Sequence, residues 1–524
     1  MSARHYDVVF LGRSIGTLLT AALLARRELR VLVLGQGQRS PLYQVEQHTL
    51  ARRSFTLLSA TSPVFRRILQ ELAQTQRFRR LTSPLDPMFA LLDGHTRFEI
   101  PPDVELFSRE IRREYPEVEQ QVAELYALIS EANSRIDQAF ERDAIWPPGT
   151  LWERMETGRV SGSLPLIESS RGPTSLFERM PEGHGFRRVV EIPALFASHL
   201  GTDAGALSPF SMARLHGSWT RGVHSLARDE QDLEDFLVER IESHGGVCRL
   251  RARASALLIK RGRLIGVQED GEQWSTGAEA VVTNLTGEAL ADLAAGAGIT
   301  RKARDAWPEI AVTGGRFVVS VVARSLGIPT PLPRESFLAA PEASLPTLHV
   351  KRGPCLDAPA EPDSVPEREL LVCEMLLPTI GGVHLLGARE AVLSTLRHYL
   401  PFLDEHVVLI DSPHDGLPAW LYESAPNGKL RRRELDRVHL RDATTGPEPM
   451  ERRFEVTPLG YLGIAGEPVR GPIVGTYLVG PSVLPALGQE GEVLAAWSAA
   501  RILTKKDRSR QKLRRQMWTK IETT

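Results

Sequence analysis

Apolar and polar positions divide the start of this chain into strand, turn, helix and strand. Asp7-Val8-Val9-Phe10-Leu11 is a run of bulky apolar residues behind one acid, which predicts a buried strand. It enters the turn Gly12-Arg13-Ser14-Ile15-Gly16-Thr17. An apolar helix over residues 18–26 follows, and Arg30-Val31-Leu32-Val33-Leu34 predicts a second strand. Strand, glycine turn, helix and strand within about 30 residues form the βαβ unit that holds a dinucleotide.

Further along, the pattern predicts a helix over 63–75 and helical periodicity with mixed charge over 104–142. Trp146-Pro147-Pro148-Gly149 is a break, and the Ser-, Gly- and Pro-rich stretch 161–173 reads as loop. The central block is more specific. An amphipathic helix over 232–243 ends at Gly245-Gly246, which supply C-cap chemistry. Strands are expected over 247–250, 256–259 and 262–268. Asp270-Gly271 reads as a turn, and 280–284 closes the block as a buried strand. Residues 353–367 read as a surface loop and 430–453 as exposed charged chain. Near the C-terminus, Gly475-Thr476-Tyr477-Leu478-Val479-Gly480 leads through Pro481 to a helix over 490–503. Alternating strand-like and helix-like segments predict α/β architecture with an α+β insertion.

Composition narrows the function classes. The 64 basic and 65 acidic residues of this 524-residue chain nearly cancel, which gives no push toward nucleic acid. Cys248, Cys355 and Cys373 form no CxxC pair, so they are expected as small buried hydrophobes rather than a disulfide framework or a zinc site. The 14 histidines show no HxH or HExxH spacing. No GxSxG elbow accompanies a Ser/His/Asp set, so the sequence does not point to a hydrolase. The absence of a signal peptide and of an uninterrupted apolar span predicts a cytoplasmic protein.

Taken together, the N-terminal βαβ unit, the block 232–284 and the segment 475–501 resemble the phytoene desaturase-like branch of the FAD-dependent amine oxidase superfamily. The resemblance implies a Rossmann-type FAD-binding domain assembled from residues 1–70, 215–310 and 450–504. A substrate or cap domain would comprise 71–214 and 311–449, and 505–524 would be a basic tail. It implies FAD as cofactor and hydride removal from a hydrophobic or amine substrate by the flavin N5. Carried over position by position, Gly12, Ser14, Gly16 and Thr17 occupy the pyrophosphate turn. Gln36 lies beside the ribose position and Val247 on the strand after Gly245-Gly246. Gly480, Pro481, Gly488, Gln489 and Gly491 lie at the flavin end.

The chain departs from the family pattern at each anchor. Ser14 and Thr17 replace the second and third glycines. Gly35 stands where an acid normally grips the ribose, and Pro481 removes both a carboxylate and an N–H donor. Glu490 and Glu492 sit where helix N–H groups would meet the flavin. Three lost contacts at roughly 1–3 kcal/mol each correspond to ~2–6 orders of magnitude in affinity. A flavin-free relative acting as a binding or scaffold protein is therefore the alternative reading.

Other candidates have plainer expectations. Arg52 and Arg53 read as surface arginines. Gly183, Gly185 and Arg187 read as a turn, and His184, His216 and His224 as exposed or core residues. Trp219 and Trp274 read as core or rim packing. In the tail, Lys505, Lys506, Arg508, Arg510, Lys512, Arg514, Arg515 and Lys520 are interrupted by Asp507 alone. Leu513, Met517, Trp518 and Ile521 recur at helical spacing. The tail reads as a solvated charged segment or as a docking element for an anionic membrane surface or a protein partner.

Overall fold

A computed structural model describes residues 5–162, 164–167, 176–299, 303, 305, 307–342, 344–356, 367–424, 430–440 and 446–505. The tail beyond Lys505 and most of the expected loop 353–367 lie outside these residues. Two large sheets organise the described chain. In the first, β1 (His5–Leu11) lies between β2 (Val31–Leu34) and the strand Thr276–Thr283. All three run parallel, and the parallel set continues to Val247–Arg249 beyond β2 and to Thr476–Leu478 beside Thr276–Thr283. The hairpin Ala254–Lys260 and Arg263–Glu269 adds an antiparallel edge. Four residues of β2 and five of β1 are fully buried, as expected for parallel strands covered on both faces. The helix α1 (Ile15–Arg26) is buried from Ile15 to Ala25. It packs against the helices Glu230–Ser243 and Gly488–Lys505, which explains why it is apolar all round rather than amphipathic.

The second sheet has ten strands centred on the 16-residue strand Glu309–Arg324. That strand pairs antiparallel with Arg368–Pro378, Val407–Asp411 and Glu451–Thr457 along its length. Residues 450–504 were expected in the dinucleotide-type unit, but Glu451–Thr457 belongs to this larger sheet. Its strand pairing is long-range in sequence, which local periodicity does not encode.

Other differences have local causes. The helix expected over 63–75 is two helices, Pro63–Glu71 and Thr75–Leu81, separated by Ala73 at φ 55°. The stretch 104–142 divides into Val104–Glu114 and Glu119–Phe140, because Pro116 cannot continue the first helix. Residues 430–453, expected to be exposed, include the buried Arg437, Glu448 and Arg453. Arg453 donates to the carbonyls of Leu195, Ser198, Leu200 and Gly201, so its charge is spent holding a turn. Trp219 is core, Trp274 is exposed, and the three cysteines are free. Among the described residues, no helix is long and apolar enough to cross a membrane.

Candidate functional site at the strand ends

Four parallel strands release their chains toward one cavity of about 660 Å³. Arg13 and Ser14 follow β1, Gln36 to Ser40 follow β2, Asn284 to Thr286 follow Thr276–Thr283, and Pro481 follows Thr476–Leu478. Ligands of open α/β sheets bind in this place, outside the carboxyl ends of the strands. The opposite wall comes from the larger sheet and its helices, with Phe196, Trp219, His349 and Phe454 forming an aromatic flank.

The predicted residues divide into wall and support. Ser14, Gln36, Pro481 and Gln489 line the cavity. Gly12 lies behind it at φ 120°, a conformation favouring glycine, and a Cβ there would stand 1.9 Å from Asn284 Oδ1. Gly16, Gly480, Gly488 and Gly491 press against the carbonyls of Val479, Asn284, Ala197 and Leu484. Their smallness sets the packing of α1 and the C-terminal helix around the cavity. Thr17 is buried, and Val247 sits on the strand beyond β2, away from the cavity wall.

The polar groups of the turn are largely engaged within the protein. The Arg13 N–H donates to Gln38 Oε1 at 2.7 Å. Ser14 Oγ caps α1 by accepting from the Thr17 N–H at 3.3 Å. The Gln36 side chain is held at both ends by Ala254, donating to its carbonyl and accepting from its N–H at 2.9 Å each. Gln489 accepts from the Ser59 N–H at 2.8 Å. Glu490, expected to face a flavin, is buried against Arg214 through two bonds of 2.6 Å.

Arg52 and Arg53, expected at the surface, both line the cavity and are correspondingly paired. Arg52 meets Glu448 at 2.7 Å and Arg53 meets Glu230 at 2.6 Å. Arg13 holds Glu234 in a two-point contact and Arg316 holds Glu374. Removal from water demands such pairing for buried charges. Asn284 Oδ1, Glu492 Oε2 and both ring nitrogens of His199 are buried without hydrogen-bond partners. His199 stands 3.4 Å from Glu451 and 3.6 Å from Glu492. Sequence reading missed Arg13 and His199 as site residues, because their partners lie 25 to more than 200 positions away.

Glu230 is the one carboxyl here pushed up to about 7, by burial, with Arg53 opposing and Glu451, Glu234 and Glu492 reinforcing the rise. Its folded value therefore exceeds the unfolded one. Between about pH 4.5 and 7 the folded state keeps a proton that the unfolded state has lost, so stability falls with rising pH and then levels off. The span corresponds to about 3 kcal/mol at most. Glu230→Gln is expected to flatten that slope and to raise stability at pH 8, read from urea midpoints between pH 4 and 8. An unchanged slope would exclude Glu230 as its source.

Several groups around the turn have the chemistry to hold a dinucleotide. The N–H groups of Ile15 and Gly16 open α1 and have no intrahelical acceptor, which leaves an anion-binding terminus beside the turn. The unpartnered Asn284 Oδ1 and Glu492 Oε2 are acceptors suited to ligand hydroxyls. The groups that obstruct, Gln38 above all, are side chains that a rotamer change would move. The cavity therefore fits FAD at the turn and along the polyol stretch, and least well at the ribose beside Gly35.

No family model and no curated protein matches this sequence. Among solved structures, the chain is similar to an oxidoreductase from Methanosarcina mazei at 16% identity and a TM-score of 0.58, over 94% of this chain and 99% of that one. It is similar to a Pyrococcus furiosus protein at 14% identity and 0.53, over 95% and 97%. A single-substitution variant of putrescine oxidase matches at 12% identity and 0.55, over 97% and 100%. At these identities the likeness is one of fold, and it extends over nearly the whole chain.

Proposed function

We propose that the protein is an FAD-dependent oxidoreductase that acts on a hydrophobic or amine substrate. The observation that carries this reading is the cavity of about 660 Å³ at the ends of the parallel strands, open from the glycine turn to an aromatic flank. The oxidoreductase and putrescine oxidase neighbours support it at the level of fold. The Ile15 and Gly16 N–H groups would hold the pyrophosphate, and Asn284 the ribityl hydroxyls. When bound, FAD supplies a two-electron acceptor. Phe196, Trp219 and Phe454 exclude water and orient an apolar substrate. The carboxylates of Glu451 and Glu492 flank His199, which can hold a proton between them.

The test is visible absorbance of the purified protein before and after incubation with FAD and desalting. Retained flavin bands are the expected result. Gln38→Ala is expected to tighten FAD binding by about tenfold, because the Arg13 N–H becomes free to donate to the pyrophosphate. Flavin fluorescence titration reads this. The flavin-free reading is favoured by Gln38 occupying the Arg13 N–H and by Pro481 lacking a donor. Colourless protein from both the wild type and Gln38→Ala, after FAD addition, would establish that second reading.

A further inference from the structure

Three residues with no shared sequence motif meet on the substrate side of the cavity. Ser54 Oγ lies 3.3 Å from His349 Nδ1, and His349 Nε2 lies 2.7 Å from Glu335 Oε2. Ser54 is half-buried, and both it and His349 line the cavity, whereas Glu335 is wholly buried behind them. Glu335 Oε2 also accepts from Thr56 Oγ1 at 3.1 Å. Lys351 sits 3.6 Å from the other carboxylate oxygen but is claimed first by Asp229 at 2.7 Å. Burial raises the Glu335 carboxyl, yet Lys351 and the His349 hydrogen bond outweigh it and hold the group ionised. The imidazole stacks on Phe337 at a 22° interplanar angle and meets Trp219 and Phe196 edge-on. An ionised acceptor at Nε2 fixes the proton there, so Nδ1 is left bare toward the serine hydroxyl.

We propose that Ser54, His349 and Glu335 form a serine-nucleophile site for carboxylic esters with an apolar acyl group. Nucleophile, base and orienting acid are recognised by geometry and role, not by sequence position. Ser54 Oγ forms a bond to the carbonyl carbon while its proton passes to His349 Nδ1. The bond to the leaving alkoxide breaks, and that oxygen takes the proton from Nδ1 and departs as alcohol. Water then attacks the acyl-Ser54 ester, again giving a proton to Nδ1. The carboxylic acid leaves as the proton returns to Ser54 Oγ. No oxidant or reductant enters. Phe55, Phe196 and Trp219 wall the acyl chain, which sets the apolar preference. Glu335 is the positioning residue.

The probe is diisopropyl fluorophosphate on the full chain, with the adduct located by peptide mass spectrometry. One adduct on Ser54 is expected, absent in Ser54→Ala and slowed at least about 100-fold in His349→Gln. Glu335→Gln is expected to slow labelling and to move its pH midpoint downward, because the imidazolium loses its carboxylate partner. Circular dichroism verifies that each variant is folded. Hydrolysis of p-nitrophenyl butyrate, present in the wild type and lost in Ser54→Ala, supports the site even where His349→Gln does not fold. An unmodified Ser54, or equal labelling rates in wild type and folded His349→Gln, would overturn it. Labelling needs no flavin, so its failure and that of the FAD reading are separable.

Discussion

Gly35→Glu, which places at the end of β2 the acid that dinucleotide-binding folds carry there, is expected to destabilise the protein by about 4 kcal/mol and not to improve FAD binding. A Cβ at Gly35 would stand 1.8 Å from the Leu250 carbonyl oxygen and 2.7 Å from its carbon. Both are backbone atoms, so no rotamer relieves the overlap. The Gly35 N–H donates to the Arg249 carbonyl at 3.3 Å, and the Gln36 N–H to Ala252 at 3.1 Å. Moving the strand end apart would break both. The missing acid is thus a consequence of how β2 is fastened to the strand Val247–Arg249, and it has no simple reversal. Gly37 provides the contrast. It lies at φ 75° on the cavity wall, and nothing stands within 4 Å of a Cβ there. Aspartate tolerates this left-handed region, so Gly37→Asp is expected to cost only about 1 kcal/mol. Urea denaturation of the two variants checks the pair. Similar losses for both would refute the steric argument.

Arg214→Met is expected to cost about 3–5 kcal/mol at pH 7, because it leaves a buried carboxylate uncompensated. Arg214 is 1% exposed. It pairs with Glu490 at 2.6 Å and with Asp137 at 2.7 Å. Its Nη1 donates to Asn133 Oδ1 at 2.9 Å. Asp137 keeps Arg221 at 2.8 Å after the substitution, whereas Glu490 loses its ion-pair contact and keeps only the longer-range attraction of Arg221. Burial alone would raise the Glu490 carboxyl, and Arg214 reverses this to hold it below the usual range. In the wild type the pair therefore stabilises above the ordinary glutamate value, and that contribution is lost as pH falls through the depressed one. Without Arg214 the sign inverts. The folded value rises, so the variant loses stability as pH climbs through about 4.5 and beyond. The defect is expected to be smaller at pH 4 than at pH 7. Arg214→Met combined with Glu490→Leu is expected to recover much of the loss. A defect of equal size at both pH values would show that lost packing against Phe140, not the bare carboxylate, sets the cost.

The contacts at Gly35 and Glu490 follow one logic. Gly35, Gln36 and Glu490 each carry a contact with another part of the chain. Glu490 anchors the C-terminal helix to the helix Pro209–Thr220, and Gln36 ties β2 to Ala254. A bound ligand stabilises the folded state by mass action. Internal contacts of this kind provide part of that stabilisation whether or not a ligand is present.

Short-range physics made several parts of the molecule legible from sequence. The apolar run Val8 to Leu11, the glycine turn and the apolar helix predicted β1 and α1, because strand burial and helix periodicity are local properties. Gly245 at φ 80° ends the helix Glu230–Ser243 as its position predicted. The tertiary structure alone decided what each polar residue faces. Arg52 looked like a surface arginine until the fold set Glu448 beside it, 396 positions away. Ser54, His349 and Glu335 lack any common spacing, since the segment after the hairpin Leu42–Val45 and His48–Ala51 meets two neighbouring strands of the other sheet. Gly35 reads in sequence only as a missing acid, and the approach of Leu250 is what shows that a side chain there is excluded. Hydrogen bonds and ion pairs act over about 3–4 Å. Their partners are therefore chosen by the packing of elements, whereas the elements themselves are chosen by their neighbours along the chain.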